Sequence, residues 1–210
     1  MKRKSTTTQG SYQKKAKYAK PSYKRQNASL SLELKYNDTA FNTDATTTGA
    51  VIALSTFAAG DTAITRDGNK IDVKSIELRI RVELEAVTQN AVCRFVLVRD
   101  KQANAAVSPL ATAGAFLDTI SPESLRTIGL LSRYDVLMDK TVSLNEGSGA
   151  VQKLFFKKYI KVRDNSVSTF VDGTSAPPMT NSYNLLYLSD VAAGATDVNV
   201  FGQARLRFVG

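Results

Sequence analysis

The stretch Lys74-Ser75-Ile76-Glu77-Leu78-Arg79-Ile80-Arg81-Val82-Glu83-Leu84 decides the fold. Successive side chains of an extended strand point to opposite faces, so from Ile76 onward this alternation makes one face wholly aliphatic and the other wholly charged. Such a strand lies between a core and water. Upstream, Ile71 and Val73 hold the opposite parity, and a bulge at Lys74 and Ser75 is expected to restore a single buried face. Asp67-Gly68-Asn69 reads as the reversal that leads in.

The same period-two signal recurs on both sides. Leu30, Leu32, Leu34 and Tyr36 predict a first strand with Ser31, Glu33 and Lys35 facing out, and residues 50–57 give a weaker apolar segment after a polar connector. Val92 to Val98 is almost continuously apolar, as expected of a central strand covered on both faces. Tyr134, Val136, Met138, Val142 and Leu144, then Leu154, Phe156, Ile160 and Val162, supply two more strands. Residues 183–188 and 198–209 complete the set, the last with Arg205 and Arg207 on the outer side. Ser121-Pro122-Glu123, with Gly129 as its stop, is the one helix start in the chain. About eight strands joined partly by long connections, 100–118 and 164–181 with Pro177-Pro178 in the second, predict an all-β protein of two packed antiparallel sheets. The uneven connections favour a jelly roll, and an immunoglobulin-like sandwich has the same periodicity.

Charge is distributed unevenly. Lys2, Arg3, Lys4, Lys14, Lys15, Lys17, Lys20, Lys24 and Arg25 precede the first acid, and the remaining 19 basic residues are matched by all 19 acidic ones. The formal charge of +9 therefore belongs to residues 1–25, and residues 26–210 form a neutral body of a size suited to one domain. The leading segment has only Tyr12, Tyr18 and Tyr23 as sizeable apolar groups, so burial cannot offset its ordering entropy and it is expected to be disordered when free. It gains free energy by meeting a polyanion, where each Lys or Arg that neutralises a phosphate releases a counterion. The three tyrosines can stack on unpaired bases without regard to sequence. A nuclear-localisation signal or a solubilising tail is the plainer reading of the same segment. It has no periodic apolar face to insert into a membrane.

Other chemistry is missing. The chain has no His and no Trp, which removes the serine–histidine and cysteine–histidine nucleophile pairs. A lone Cys93 can form no internal disulfide and no cysteine zinc site, and it suits a reducing compartment. No apolar region follows the basic start as in a secretory leader, so the sequons at Asn27 and Asn37 read as chance matches. There is no phosphate-cradling glycine loop, and Gly147-Ser148-Gly149 is not a nucleophile elbow. Asp61, Asp67 and Asp72 lie close enough in sequence to suggest a metal-dependent nuclease, against which solvated turn carboxylates are the simpler reading. No catalytic activity, metal or cofactor is expected.

The body has one basic concentration. Lys153, Lys157, Lys158, Lys161 and Arg163 crowd one strand, with Lys158 breaking the apolar parity of Leu154, Phe156 and Ile160. A solvated outer face is the default, and a wall turned towards nucleic acid or an acidic neighbouring subunit is the alternative.

With its lysine-rich leading arm, Arg66-Asp67-Gly68-Asn69-Lys70-Ile71 running into Lys74 to Val82, Arg94-Phe95-Val96-Leu97-Val98-Arg99-Asp100, Ser132-Arg133-Tyr134-Asp135-Val136-Leu137 and Tyr183-Asn184-Leu185-Leu186-Tyr187, the chain resembles capsid proteins of small circular single-stranded DNA viruses. It is also similar to the coat of satellite tobacco necrosis virus. The arm departs from the circovirus pattern in being dominated by lysine, a point charge, where arginine binds phosphate bidentately. The resemblance implies an eight-stranded jelly-roll shell domain over 26–210, a basic arm over 1–25 turned inward onto the genome, sixty copies in the smallest icosahedral shell, and entry into the host nucleus. On that expectation the arms supply roughly 540 positive charges, fewer than the roughly 630 phosphates needed merely to encode 210 residues. Arg79, Arg81, Lys153, Lys157, Lys158, Lys161 and Arg163 are then candidates for an inner basic wall. The competing expectation is a basic-tailed β-barrel that binds single strands without assembling.

Overall fold

The computed structural model describes residues 33–84, 90–104, 116–130, 132–145, 152–163, 166–171, 177–192 and 198–210. The chain divides into two units, Met1–Ser31 and Leu32–Gly210, and the fold described is that of the second. Its strands are β1 (Lys35–Ala45), β2 (Ala50–Ala53), β3 (Lys70–Leu84), β4 (Ala91–Asp100), β5 (Tyr134–Leu144), β6 (Lys153–Lys161), β7 (Val167–Thr169), β8 (Ser182–Ser189) and β9 (Val198–Val209). They form two antiparallel sheets, ordered β1-β9-β3-β6 and β2-β8-β4-β5, with β7 pairing the start of β3. The first and last strands lie side by side, and the chain repeatedly crosses between the sheets. That order is a jelly roll and removes the immunoglobulin-like alternative. The three-residue β7, inside the connection 164–181, adds to the eight strands that periodicity predicts.

The main core lies between the sheets. Ile76, Leu78, Ile80 and Val82 of β3 meet Cys93, Phe95 and Leu97 of β4 and Tyr183, Leu185 and Tyr187 of β8 in one cluster. The expected bulge is present: Val73 pairs Phe208 while Ser75 pairs Arg207, so Lys74 is the extra residue. By that slip Ile71 and Val73 join the same buried face as Ile76 to Leu84.

The second sheet is covered on both faces, which explains the continuous apolar run of β4. Val96, Val98, Leu186 and Leu188 point away from the main core and pack with Phe116, Leu117 and Tyr134 in a second cluster. In β5 the register slips between Leu97↔Met138 and Val98↔Val136, so Val136 packs with the second cluster and Met138 with the main core.

Two expectations are corrected. The first strand does not bury Leu34 and Tyr36, which are 56% and 38% exposed; between them it is Lys35, 1% exposed, that turns inward, followed further along by Phe41 and Ala45. Leu30 and Leu32 lie outside the described residues. The strand runs instead through the polar stretch to Ala45, because every residue from Lys35↔Phe208 to Ala45↔Val198 has a partner on β9. Lys35 is tolerated inside because its ammonium donates to both carboxylate oxygens of Asp67 at 2.8 and 2.7 Å.

The second correction is the helix at Ser121. Residues 121–127 are bend, turn and bridge, followed by a single 3-10 turn at Ile128–Leu130. Tertiary bonds take the backbone groups a helix would use: Arg94 donates to the carbonyls of Pro122, at 3.1 Å, and Ser124. Asp118 and Thr127 donate to the carbonyls of Leu125 and Phe116, both at 3.0 Å. The local helix signal loses to a buried guanidinium.

Candidate nucleic-acid interface on the charged sheet face

Inward residues of the first sheet are apolar, so the outward ones form a face with its own chemistry. Cross-strand register sets their neighbours. Glu77, Arg79, Arg81 and Glu83 of β3 stand opposite Tyr159, Lys157, Phe155 and Lys153 of β6. On the other side the same four residues stand opposite Arg205, Gln203, Phe201 and Asn199 of β9, which in turn face Asp38, Ala40, Asn42 and Asp44 of β1. Arg79, Arg81, Lys153, Lys157, Lys161, Arg205 and Arg207 thus face outward against Asp38, Asp44, Glu77 and Glu83. The face is basic on balance.

Each acid at its centre is shared. Glu77 accepts from Arg207 at 3.0 Å, Lys157 at 3.1 Å and Arg79 at 3.0 Å. These bonds, led by that of Arg207, hold its carboxyl down at about 2 against an ordinary 4.5. Glu83 is shared by Arg81 at 2.9 Å and Lys153 at 3.0 Å. Asp38 and Arg205 form a bidentate pair at 2.7 and 2.6 Å, which lowers the carboxyl and raises the guanidinium. Between them lies a shallow polar depression of about 190 Å³ lined by Glu77, Arg79, Gln203 and Arg205. Lys158, Lys161 and Arg163 make no ion pair among the described residues.

Aromatic rings are interleaved with these cations. Arg81 lies over Phe201 at 4.5 Å and Arg205 over Tyr36 at 4.8 Å. Phe155 and Tyr159 of β6 remain 64% and 57% exposed. These rings, with Arg205 and Arg207, are absent from the residues that lysine content singles out. Their signal in the sequence is an apolar residue on the charged parity of a strand.

The expected wall residues divide on the structure. Arg79, Arg81, Lys153, Lys157 and Lys161 share the outward face. Lys158 pairs Leu78, on the inward parity, yet is exposed because β6 is the edge of its sheet; Arg163 lies beyond the end of β6. The arm residues Lys2, Arg3, Lys4, Tyr12, Lys14, Lys15, Lys17, Tyr18, Lys20, Tyr23, Lys24 and Arg25 lie outside the described residues.

The three aspartates read as a nuclease candidate do not converge. Asp67 is held by Lys35, and Asp72 pairs with Lys74 and accepts from Ser166. No group of three His, Cys, Asp or Glu side chains that could hold a metal ion occurs among the described residues.

Comparison with known proteins gives one family. The family model described as satellite tobacco necrosis virus coat protein matches residues 7–204. No curated protein matches the chain. Two of the solved structures to which it is similar are of one virus. One, of the Gx strain of infectious bursal disease virus, has 11% identity over 85% of this chain and 32% of that chain, with a TM-score of 0.28. The other, of the Gt strain, has 10% identity over 86% of this chain and 42% of that one, with a TM-score of 0.15. The chain therefore spans less than half the length of either.

Proposed function

Since the chain belongs to the satellite tobacco necrosis virus coat protein family, a structural and non-enzymatic protein of the virion that assembles with its own copies, we propose that it packages single-stranded DNA inside a small icosahedral shell of sixty subunits. Residues 1–25 are the genome-binding arm in this reading. The observation that carries it is the segregation of charge: all of the +9 precedes a neutral jelly roll. A cationic leader without a single acid of its own, joined to an assembling domain, has a polyanion as its natural counterpart. Entry into the host nucleus through the same basic segment belongs to the proposal.

The shortfall of arm charge against genome phosphate favours turning the basic sheet face inward. Arg79, Arg81, Lys153, Lys157 and Lys161 would then meet the cargo, with Lys158 and Arg163 at the margin.

The test is to express the full chain and a chain lacking residues 1–25, and to examine both by electron microscopy and nuclease protection. Closed particles with protected single-stranded DNA are expected for the full chain, and empty or irregular particles for the truncated one. Equal packaging by both overturns the role of the arm. A full chain that stays monomeric or dimeric in the presence of single-stranded DNA, yet binds it in a salt-sensitive way, supports the non-assembling binder.

A further inference from the structure

Strand β6 carries a repeat that lysine content alone does not reveal. Its outward positions read Lys153, Phe155, Lys157, Tyr159, Lys161, a cation and an aromatic ring in strict alternation. Outward residues two apart on a strand are separated by about 7 Å. The two rings therefore lie about 13 Å apart, with one ammonium between them and one beyond each.

Both rings are more than half exposed although β6 belongs to a well-paired sheet. On its other face the same strand buries Phe156 and Ile160. Among the rings of β6, exposure is thus confined to the charged side.

We propose that the outward face of β6 is a binding track for single-stranded polynucleotide, in which bases stack on Phe155 and Tyr159 and phosphates are met by Lys153, Lys157 and Lys161. This rests on the coat-protein reading above and assigns part of the cargo contact to the shell domain itself.

The alternative occupant is another copy of the chain, and charge decides against it. β6 has no acid of its own, and the acids beside it are already shared, Glu77 among three cations and Glu83 between two. An occupant must therefore bring negative charge as well as a flat apolar surface. Among the described residues Asp38, Asp67, Asp72, Asp100, Asp135 and Asp139 are likewise paired with cations of their own chain, which leaves a second copy little free carboxylate to bring there. A polynucleotide brings both, because every base has a π-face and every link a phosphate.

The experiment uses the full chain with thirty-nucleotide oligo(dT) and oligo(rU) carrying photoreactive 5-iodouracil, followed by mapping of cross-linked peptides. Adducts on Phe155 or Tyr159, in addition to any on the arm, are expected. The unmodified chain serves here, so this part does not depend on a variant folding. The two oligonucleotides separate a DNA cargo from an RNA one.

In parallel, the Phe155→Ala and Tyr159→Ala double variant is expected to bind oligo(dT) at least tenfold more weakly with an unchanged salt slope. Lys153→Gln, Lys157→Gln and Lys161→Gln together are expected to reduce the log–log salt slope by about 2. Absence of adducts between residues 153 and 161, with unchanged affinity in particles that still contain nucleic acid, overturns the track and leaves the coat reading standing. Loss of particles at unchanged oligonucleotide affinity makes β6 a contact between copies and also overturns it. A full chain that neither assembles nor binds nucleic acid defeats the coat reading itself.

Discussion

Phe41 and Gly202 are register partners on β1 and β9, and a Cβ added at Gly202 would lie 2.2 Å from Phe41 Cζ. The missing side chain lets the Phe41 ring lie over the β9 backbone and stack with Tyr187 of the opposite sheet at 6.3 Å. Gly202→Ala forces the ring or the strand to move, and overpacking of this kind costs about 1–3 kcal/mol. Thermal unfolding should show that loss, reduced in a Phe41→Leu background. Equal cost in both backgrounds would mean that the ring is not what the glycine accommodates.

The Glu77 carboxyl sits at about 2 in the folded chain against an ordinary 4.5, chiefly through Arg207 and then Lys157 and Arg79. A depressed carboxylate stabilises the fold above its unfolded value, and that contribution disappears as pH falls through the folded value. The wild type is therefore expected to lose stability between about pH 5 and pH 2 more steeply than Glu77→Gln. Parallel acid-unfolding curves for the two proteins would count against the shared-carboxylate geometry.

Lys35→Ala removes a buried ammonium and leaves Asp67 without its partner. Asp67 is 43% exposed and can be rehydrated, so the cost falls below that of a fully buried pair, at about 1–3 kcal/mol. Lys35→Met keeps most of the buried stem and should recover part of it in chemical denaturation.

Deleting Lys74, the extra residue of the bulge, shifts the parity of everything upstream relative to Ile76. Either Ile71 and Val73 are then expelled or Glu77 to Glu83 are driven inward. Insoluble or unfolded protein is expected, whereas Lys74→Ala should remain folded by circular dichroism.

Burial pushes the Cys93 thiol up to about 12, helped by Asp190. At neutral pH the folded chain should resist thiol reagents that act on the thiolate, and labelling should appear only with unfolding. Rapid labelling of the native protein would contradict the packing of β4.

The legible parts of the fold were those in which one physical rule acted alone. Alternation fixed β3, and the parity slip at Lys74 and Ser75 located its bulge, because a sheet buried on one side leaves no other solution. The apolar run of β4 announced cover on both faces. The first strand was misread since Lys35 is buried through Asp67, a partner 32 positions away that periodicity cannot see. The helix at Ser121 failed for the same reason: Arg94 satisfies carbonyls that local signals assign to a helix. At the candidate interface the lysines are marked by charge, whereas Phe155 and Tyr159 carry none and only their register with Arg81 and Glu77 places them outward.

Lys158 occupies an inward position on the outermost strand of its sheet, where any further strand zipped onto β6 would enclose its ammonium. A protein made to crowd against its own kind faces a constant hazard of fibril growth, and this one residue sets a toll on that route while leaving other contacts open. The same substitution that would make the rim greasier, Lys158→Val, should turn orderly association into thread-like precipitate visible by thioflavin fluorescence.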